Sequence, residues 1–268
     1  SYADYIDVTK SVNIDIDEES SFSEGYSTAL VYPGYTLVWS DEFDGTALSS
    51  DWTYDLGTGD WGWGNNELQY YREENAVVEG GLLVITAQEQ IINSSNYSSS
   101  RIKTQGLKSF QYGRIDIRAK LPKGKGIWPA LWMLGDNITT ASWPNCGEID
   151  IVELVGGGSA NDKKIYGTMH WDDNGSYASY GGNNSLNSGI FADEFHVFSI
   201  IWNSNSIEFL RDDLQYHSAD ISPAQLSEFH QNFFLIFNVA VGGNWPGNPD
   251  ETTDFPQVMY VDYVRVFQ

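Results

Sequence analysis

Three carboxylates lie within six residues of chain, from Glu148 to Glu153. The isoleucine and valine residues between them favour a β-strand, in which residues two apart point to the same face. Glu148 and Asp150 then share a face, whereas Glu153 has the opposite parity. A one-residue bulge at Ile151 and Val152 would return Glu153 to the face of the other two, and bulges are frequent beside active sites. We therefore predict a bulged strand with three carboxylates on one face and apolar side chains on the other.

Carboxylates at this spacing are suited to acid–base chemistry. Five residues of extended chain span about 16 Å, and side chains that lean toward each other across a bulge shorten the gap. The carboxyl groups of Glu148 and Glu153 can then approach the roughly 5–5.5 Å of a retaining glycosidase. Repulsion among ionised carboxylates raises the pKa of one of them, as a general acid near neutral pH requires. Two other interpretations stay open at this point: a Ca²⁺ or Mg²⁺ site, and an exposed acidic strand edge.

Tryptophan residues precede the acidic segment. Trp128 and Trp132 share parity on a predicted strand, and Trp143 leads directly into Glu148. Large aromatic side chains usually fill cores, but indoles beside carboxylates also form a surface for the C–H faces of a sugar ring, with polar groups at the rim for its hydroxyls. Similar mixtures of polar and aromatic residues occur around Asn65, His170 and Trp245, and Arg101 adds a planar donor.

The elements that must position these residues have the composition of strands. Runs of β-branched and aromatic residues bounded by turn residues predict strands over 81–88, 113–121, 148–154, 196–202, 206–211, 232–239 and 258–267. Charged and aliphatic residues alternate between Arg114 and Leu121, a pattern typical of a half-buried strand in an antiparallel sheet. Residues 223–230 form the one segment that we interpret as a short helix. The pattern predicts an all-β fold, a sandwich of two sheets.

The first 34 residues differ from the rest of the chain. They are acidic and serine-rich and show little periodicity, which is typical of an extension or a linker. From Tyr35 onward the composition is uniform. We predict an N-terminal extension or linker over residues 1–34 and one β-sandwich domain over residues 35–268, a length that single all-β domains commonly reach.

Charge and cysteine content exclude several classes of function. The net charge of −23 disfavours nucleic acid and anionic membranes as partners, because binding a polyanion requires Lys and Arg. A single cysteine, Cys146, excludes an intrachain disulfide framework. No apolar run is long enough to span a membrane, and the first residues lack the basic and apolar regions of a signal peptide. We expect a monomer that is secreted or on the cell surface, with its signal peptide absent from this chain.

Five segments together resemble glycoside hydrolase family sixteen. Residues 147–153 (GEIDIVE) resemble the family's active-site motif in its bulged form, which is typical of laminarinases, the endo-β-1,3-glucanases. The other four segments are residues 38–44 (VWSDEFD), 61–70 (WGWGNNELQY), 128–134 (WPALWML) and 261–266 (VDYVRV). They occur in the family's order and extend over nearly the whole predicted domain.

The resemblance implies a fold and a set of roles. It implies a jelly-roll sandwich of two antiparallel sheets with a concave substrate cleft, and double displacement with retention on a laminarin-like β-glucan. Glu148 would be the nucleophile, Asp150 its helper and Glu153 the general acid/base, with no cofactor for catalysis. A structural Ca²⁺ would be held by Glu42, the carbonyl of Gly81 and Asp262. The positions that resemble substrate-binding ones are Asn65, Arg101, Trp128, Trp132, Trp143, His170 and Trp245.

Two alternatives to a β-1,3-glucanase remain. The same fold could act on mixed-linkage β-1,3-1,4-glucan, although the bulge favours the β-1,3 class. A non-catalytic glucan-binding sandwich would keep the tryptophans but lack the acid pair, which this chain has complete. The acidic composition argues against strongly anionic polysaccharides, because like charges repel.

Overall fold

The computed structural model describes residues 24–268, and most of its regular structure is β-strand. In chain order the strands are β1 (Leu37–Asp41), β2 (Thr53–Asp55), β3 (Gln69–Tyr71), β4 (Ala76–Glu79), β5 (Leu82–Ile92), β6 (Ser95–Ser99), β7 (Arg101–Lys103), β8 (Gly113–Lys120), β9 (Ile127–Gly135), β10 (Glu148–Leu154), β11 (Lys164–Asp172), β12 (Tyr177–Ser185), β13 (His196–Trp202), β14 (Ser206–Arg211), β15 (Leu214–Asp220), β16 (Phe233–Val241) and β17 (Gln257–Phe267). A short helix, α1, spans Ile138–Ala141, and 3-10 turns span Glu73–Asn75 and Ala224–Phe229.

The strands pair into two sheets. The ten-stranded sheet has the order β15-β14-β13-β8-β17-β5-β6-β3, with β1 added to β17 and β4 to β5. The seven-stranded sheet has the order β12-β11-β10-β9-β16-β7-β2. Pairing is antiparallel throughout the seven-stranded sheet and in the other sheet except between β3 and β6, which are parallel. The predicted all-β jelly-roll sandwich of two antiparallel sheets is confirmed.

A continuous apolar core fills the space between the sheets. Strand β16 is buried along its whole length, and β10 directs Ile149, Ile151 and Val152 into the core. Ile115 and Ile117 of β8 enter it from the ten-stranded sheet. Full burial of one such side chain contributes about 1.5–3 kcal/mol. The core therefore holds the seven-stranded sheet firmly enough for its outer face to position polar groups.

The predicted elements agree with the observed ones except at one turn and at strand ends. Strands β10, β13 and β14 have the predicted bounds, whereas β16 begins at Phe233 and continues to Val241. The short helix predicted over 223–230 is present as a 3-10 helix over Ala224–Phe229, with a kink at Leu226, which lies outside helical geometry. Leu226 and Phe229 are both buried, and a three-residue repeat places two such side chains on one side. Tertiary burial therefore decides the conformation of this segment.

Strand β8 differs from the half-buried strand that its alternating sequence predicts. Asp116 is 0% and Arg118 4% exposed, although both lie on the charged face. Residues near the N-terminus cover them: the Arg118 guanidinium donates to the carbonyls of Glu24 (2.8 Å) and Tyr26 (2.7 Å), and the Tyr32 hydroxyl donates to Asp116 (2.7 Å). The half-buried prediction was wrong because alternation along one strand does not reveal what packs over its polar face.

Residues 24–34 thus contact the sandwich itself. Further contacts are a hydrogen bond from the Thr28 amide to the Tyr263 hydroxyl (2.9 Å) and a parallel β-bridge between Gly25 and Phe195. The remainder of the predicted extension, residues 1–23, lies outside the described residues, so the domain boundary at residue 34 stays a prediction. Within residues 24–268, no helix is both long and apolar enough to cross a membrane.

We expect truncation to residue 35 to destabilise the domain. Removing residues 24–34 leaves buried Arg118 and Asp116 without several partners, and a buried group that loses its hydrogen bonds costs about 1–3 kcal/mol. Chemical denaturation should give a free energy of unfolding at least about 2 kcal/mol lower for a chain starting at residue 35 than for one starting at residue 24. Equal free energies for the two truncated chains would contradict this.

Candidate active site

The outer face of the seven-stranded sheet carries a cleft of about 920 Å³. Its floor is formed by β7, β9, β10, β11 and β16, and its rim includes loop residues such as Trp61 and Trp245. The ten residues predicted for catalysis and substrate binding all line it: Glu148, Asp150, Glu153, Asn65, Arg101, Trp128, Trp132, Trp143, His170 and Trp245. The structure therefore brings them together, while their individual roles stay predictions.

A bulge in β10 aligns the three carboxylates. Asp150 pairs with Thr168 and Glu153 pairs with Tyr166, so β10 advances three residues where β11 advances only two. The two residues between these carboxylates are each only 1% exposed and lie in the core. The bulge predicted at this point is confirmed, and it returns Glu153 to the cleft face, where it lies with Glu148 and Asp150.

Several neighbours of Glu148 favour its ionised form. The Trp143 indole N–H donates to Glu148 Oε2 (2.8 Å), and His170 Nε2 lies 3.8 Å from Oε1. Burial, followed by the charge of Asp150, raises the pKa of Glu148, whereas His170, the Trp143 N–H and Arg101 oppose that rise. Glu148 is therefore a partly buried carboxylate, its side chain 17% exposed, with three groups around it that stabilise an anion.

Asp150 connects Glu148 to a histidine. His170 Nε2 lies 2.8 Å from Asp150 Oδ2, and its Nδ1 lies 2.8 Å from the Tyr177 hydroxyl. With Asp150 as the acceptor, the ring carries its proton on Nε2 and accepts from Tyr177 at Nδ1. Burial raises the pKa of Asp150, and a hydrogen bond with Glu148 opposes that rise. Asp150 can therefore share a proton with Glu148 while His170 fixes its orientation.

Glu153 has the environment of a general acid. It is 7% exposed, and its Oε1 accepts a hydrogen bond from the Trp128 indole N–H (3.0 Å). Burial, followed by the charges of Asp150 and Glu148, raises the pKa of Glu153 well above its usual range, and His170 and Trp128 oppose this only in part. Burial and the two neighbouring carboxylates raise the pKa of Glu153 further than that of Glu148, which rises to about 8, so Glu148 gives up its proton first. This order suits Glu153 as acid and Glu148 as nucleophile.

Arg101 forms a flat donor at one end of the cleft. Its guanidinium carbon lies 4.8 Å from the ring centres of both Trp63 and Trp132. Its Nε lies 2.9 Å from Asp55 Oδ2, on the neighbouring strand β2. An arginine stacked between two indoles and paired with a carboxylate has little freedom to move, so its remaining N–H groups are preorganised for hydroxyl groups in the cleft.

A smaller pocket of about 360 Å³ adjoins the cleft over β11 and β12. Glu153 lines it together with Tyr166 and Asn183, whereas Glu148 does not. Trp245 forms one wall, and its ring centre lies 5.7 Å from that of Trp128 and 5.0 Å from that of Tyr166. The carboxyl of Glu153 therefore faces space on the side of the cleft opposite to Arg101.

Other cleft residues are absent from the predicted site. Trp63 contacts Arg101, Tyr177 contacts His170, and Asn238 accepts a hydrogen bond from the Trp132 indole (2.7 Å). The same aromatic and polar run that indicated Asn65 also contains Trp63, so composition could have found it. Asn238 shares parity with Ile236 on β16, a strand whose sequence is almost wholly apolar, and nothing in the sequence near Tyr177 indicates a site.

Two of the three residues predicted to hold calcium are engaged with arginines. Both carboxylate oxygens of Glu42 accept hydrogen bonds from Arg265 (2.9 and 2.7 Å), and Asp262 Oδ2 accepts one from Arg118 (2.9 Å). Calcium needs six to eight oxygen ligands, and a carboxylate occupied at both oxygens by a guanidinium does not fit as one of them. Glu42 therefore does not fit in this arrangement, and Gly81 and Asp262 alone remain from the predicted set.

One carboxylate and histidine group could also hold a metal ion: Glu148, Asp150 and His170 place one ligand atom each within 4.8 Å of one another. The indole N–H of Trp143 points at Glu148, a member of this group. A donor hydrogen at a carboxylate oxygen competes with a cation for the same lone pairs. The arrangement therefore favours acid–base chemistry over metal binding.

Comparison with known proteins is consistent with this geometry. A family model described as "Glycosyl hydrolases family 16" matches residues 60–265. The chain is 41% identical to a β-glucanase of Rhodothermus marinus, over 88% of this chain and 86% of the relative. It is 44% identical to the clotting factor G alpha subunit of Tachypleus tridentatus over 88% of this chain, but it spans only 34% of that protein's length.

Solved structures agree with the sequence relatives. The laminarinase catalytic domain of Thermotoga maritima superimposes with a TM-score of 0.80 at 45% identity, covering 87% of this chain and 98% of that domain. Similarity at this level extends over the sandwich and the cleft together, because both are built from the same strands.

We expect the Glu153→Gln substitution to stabilise the protein increasingly as pH rises. The pKa of Glu153 in the folded protein lies above its value of about 4.5 in the unfolded chain. The protonated side chain therefore contributes its full stabilisation below pH 4.5, and this contribution is lost as the pH rises toward the folded-state pKa. The amide of the variant cannot ionise. The difference in unfolding temperature between variant and wild type should grow as the pH rises above about 4.5, with the exposed Glu89→Gln as control. A constant difference would refute the raised pKa.

Proposed function

Because the chain belongs to glycosyl hydrolase family 16 and is a glycoside hydrolase, we propose that it cleaves internal β-1,3-glucosidic bonds of laminarin-type glucans with retention. The single observation that carries the proposal is the bulged strand β10. It places Glu148 and Glu153 on one cleft face, each with its own indole donor and with different surroundings.

The reaction follows from the protonation order. Protonated Glu153 donates its proton to the glycosidic oxygen as the bond to C1 breaks, and the Glu148 carboxylate attacks C1 to form a glycosyl ester. Glu153, now a carboxylate, then removes a proton from water as that water attacks C1 and the ester bond to Glu148 breaks. Two inversions at C1 give net retention. Asp150, whose Oδ2 lies 2.8 Å from His170 Nε2, stands beside Glu148 and takes no part in bond formation.

We also propose a direction for the bound chain. The leaving-group sugar must lie beside the acid, and the smaller pocket is lined by Glu153 without Glu148. The acceptor sugars therefore lie over β11 and β12, and the donor sugars lie over β9, β16 and β7, toward Arg101. Five interstrand spacings from β12 to β7 span about 24 Å, which exceeds one sugar ring. A cleft of that width supports binding within a chain rather than at its end.

The substrate class follows from the same residues and relatives. Relatives named as a β-glucanase and a laminarinase support a β-glucan. The cleft offers indole faces and neutral amides, and Arg101 is already paired with Asp55. A sulfated polymer would meet Glu148, Asp150 and Glu153 without a free cation to offset its charge. Mixed-linkage β-1,3-1,4-glucan remains the second candidate, because it also contains β-1,3 bonds.

Polysaccharide assays test the proposal directly. We expect the protein to release reducing ends from laminarin as oligosaccharides of several lengths, more slowly from lichenan, and not from agar or carrageenan. Proton NMR during the first minutes should show the β-anomer forming first, because double displacement retains configuration. Faster cleavage of lichenan than of laminarin would shift the assignment to mixed-linkage glucan, and binding without cleavage would make the protein a glucan-binding sandwich.

Glu148→Ser and Glu153→Ser should each lower turnover of laminarin by at least about a hundredfold, in keeping with loss of a nucleophile or of an acid–base group. The two variants should differ on an aryl β-glucoside with a good leaving group. Glu153→Ser should still form the glycosyl ester with it, because that step then needs no proton, whereas Glu148→Ser should not. The exposed Glu89→Ser serves as control, and circular dichroism monitors the fold. Full activity in either variant would refute its role.

Structural Ca²⁺ remains a proposal that derives from the family resemblance. Dialysis against EDTA should lower the unfolding temperature, and added Ca²⁺ but not Mg²⁺ should restore it, because a ligand that binds only the folded state stabilises that state. An unfolding temperature unchanged by EDTA would contradict calcium binding. That result would agree instead with the arginine pairing of Glu42 and Asp262.

Location and assembly are also proposals. A glucan polymer cannot enter a cell, so we propose that the protein works outside it. We also propose that the protein is a monomer. Detection of the protein in the cytosol rather than in the medium or on the surface of its source cells would contradict the first proposal. Light scattering on a sizing column measures the mass of the protein in solution. A mass of twice 30.0 kDa would contradict the proposal that it is a monomer.

A further inference from the structure

Glu67 is a further carboxylate that lines the cleft, away from the three on β10. Its Oε2 accepts hydrogen bonds from Gln69 Nε2 (2.7 Å) and the Tyr71 hydroxyl (3.2 Å). Its Oε1 accepts one from Asn65 Nδ2 (3.3 Å). Gln69 and Tyr71 are both completely buried. Glu67 therefore stands where two buried side chains and one cleft residue converge, although the proposed reaction makes no use of it.

A chain of hydrogen bonds connects Glu67 to the indole of Trp132. Tyr71 accepts from Asn238 Nδ2 (3.0 Å), and Asn238 Oδ1 accepts from the Trp132 Nε1–H (2.7 Å). We call this series, from Trp132 through Asn238 and Tyr71 to Glu67, the Trp132–Glu67 relay. It runs beneath the donor side of the cleft and ends at a tryptophan that packs on Arg101.

The direction of each bond in the relay is fixed by chemistry. An indole N–H can only donate, so Asn238 must present its oxygen to Trp132 and its amino group to Tyr71. The Tyr71 hydroxyl accepts from Asn238, so its own hydrogen is free only for Glu67. Every donor along the relay therefore points toward Glu67.

A second, independent branch ends at the same carboxylate. The backbone N–H of Val241 donates to Gln69 Oε1 (2.7 Å), which forces the Gln69 amino group toward Glu67. Together with Asn65, three donors then converge on the two oxygens of Glu67. Only an ionised carboxylate has acceptors and no donor, so a protonated or amidated side chain would leave one donor facing another. A buried donor without an acceptor costs about 1–3 kcal/mol.

We propose that ionised Glu67 is a positioning residue for the donor-side sugars, because it fixes the Trp132 indole through the relay and Asn65 directly. This inference rests on the proposed function. Burial raises the pKa of Glu67, while Gln69, the Arg101 charge, Asn65 and Tyr71 oppose that rise, so the donors that Glu67 orders also maintain its charge. Glu67 acts on the sugar through these side chains and does not take part in bond cleavage.

The neighbouring loop supports this assignment. The Asn65 carbonyl accepts from the Asn244 backbone N–H (2.8 Å), and Asn66 Nδ2 donates to Asn244 Oδ1 (2.8 Å). The segment that carries Asn65 is thereby attached to the loop that carries Trp245. With its backbone held, Asn65 depends on Glu67 Oε1 for the orientation of its amide.

Kinetics on laminari-oligosaccharides of defined length test the proposal. Glu67→Gln keeps the size of the side chain but adds a donor. We expect it to raise KM about three- to tenfold with kcat changed by less than about twofold, since lost binding common to ground and transition states appears in KM. The effect should increase with the number of donor-side sugars. Glu89→Gln should match the wild type.

Tyr71→Phe breaks the relay by removing one oxygen and should raise KM in the same way, which keeps the test valid if Glu67→Gln folds poorly. The KM of the double variant should be no higher than that of the more affected single variant, because both substitutions interrupt the same relay. Changes confined to the unfolding temperature, or to kcat, would overturn the positioning role, as would additive effects of the two substitutions.

Calorimetric titration of laminarihexaose into the same variants, each combined with Glu148→Ser, measures binding without turnover. Weaker binding in the Glu67→Gln combination supports the inference, and unchanged binding overturns it. Failure of the wild type to hydrolyse any of these oligosaccharides would instead overturn the proposed function, so the two failures are distinguishable.

Discussion

The bulge in β10 is the constraint on which the rest of the site depends. If this sequence formed a regular strand without the bulge, Glu153 would point between the sheets, where an ionised carboxylate costs several kcal/mol. With it, Ile151 and Val152 both enter the core and all three carboxylates face the cleft. The core therefore specifies the bulge, because regular alternation would expose one apolar side chain and bury one acid. The extra residue of the bulge also separates Glu148 from Glu153 along the strand, so that each carboxylate has its own hydrogen-bond donors.

The indoles of the cleft hold polar side chains as well as offering flat surfaces. Trp143 donates to Glu148, Trp128 to Glu153 and Trp132 to Asn238. Each indole N–H thus fixes the ring plane while it satisfies an oxygen that would otherwise be buried without a donor. Burial raises the pKa of the carboxyl groups, and these N–H donors limit that rise. The aromatic wall and the protonation states are therefore consequences of the same contacts.

Both faces of the sandwich bury charge, and each does so with directed hydrogen bonds. On the ten-stranded sheet, Arg118 and Asp116 are covered by residues 24–32. Under the cleft, Glu67 is the single anion toward which a set of neutral donors points. In each place the partners come from segments distant in sequence, so the charged group links separate parts of the chain. Such groups specify one arrangement more strictly than apolar contacts, since an unpaired alternative is costly.

The sequence by itself determined the two-sheet fold class, seven of the seventeen strands in residues 24–268, the bulge at Ile151 and Val152, and ten of the residues that meet in the cleft. Parity and composition are local properties, and five family-like segments in order added the jelly-roll topology. Tertiary structure alone decided the rest. It buried the charged face of β8, gave the short helix at 223–230 a kinked 3-10 geometry, engaged Glu42 with Arg265, and brought Asn238 and Tyr177 into the site. Each of these depends on which distant segment packs nearby, and no periodicity within one strand carries that information.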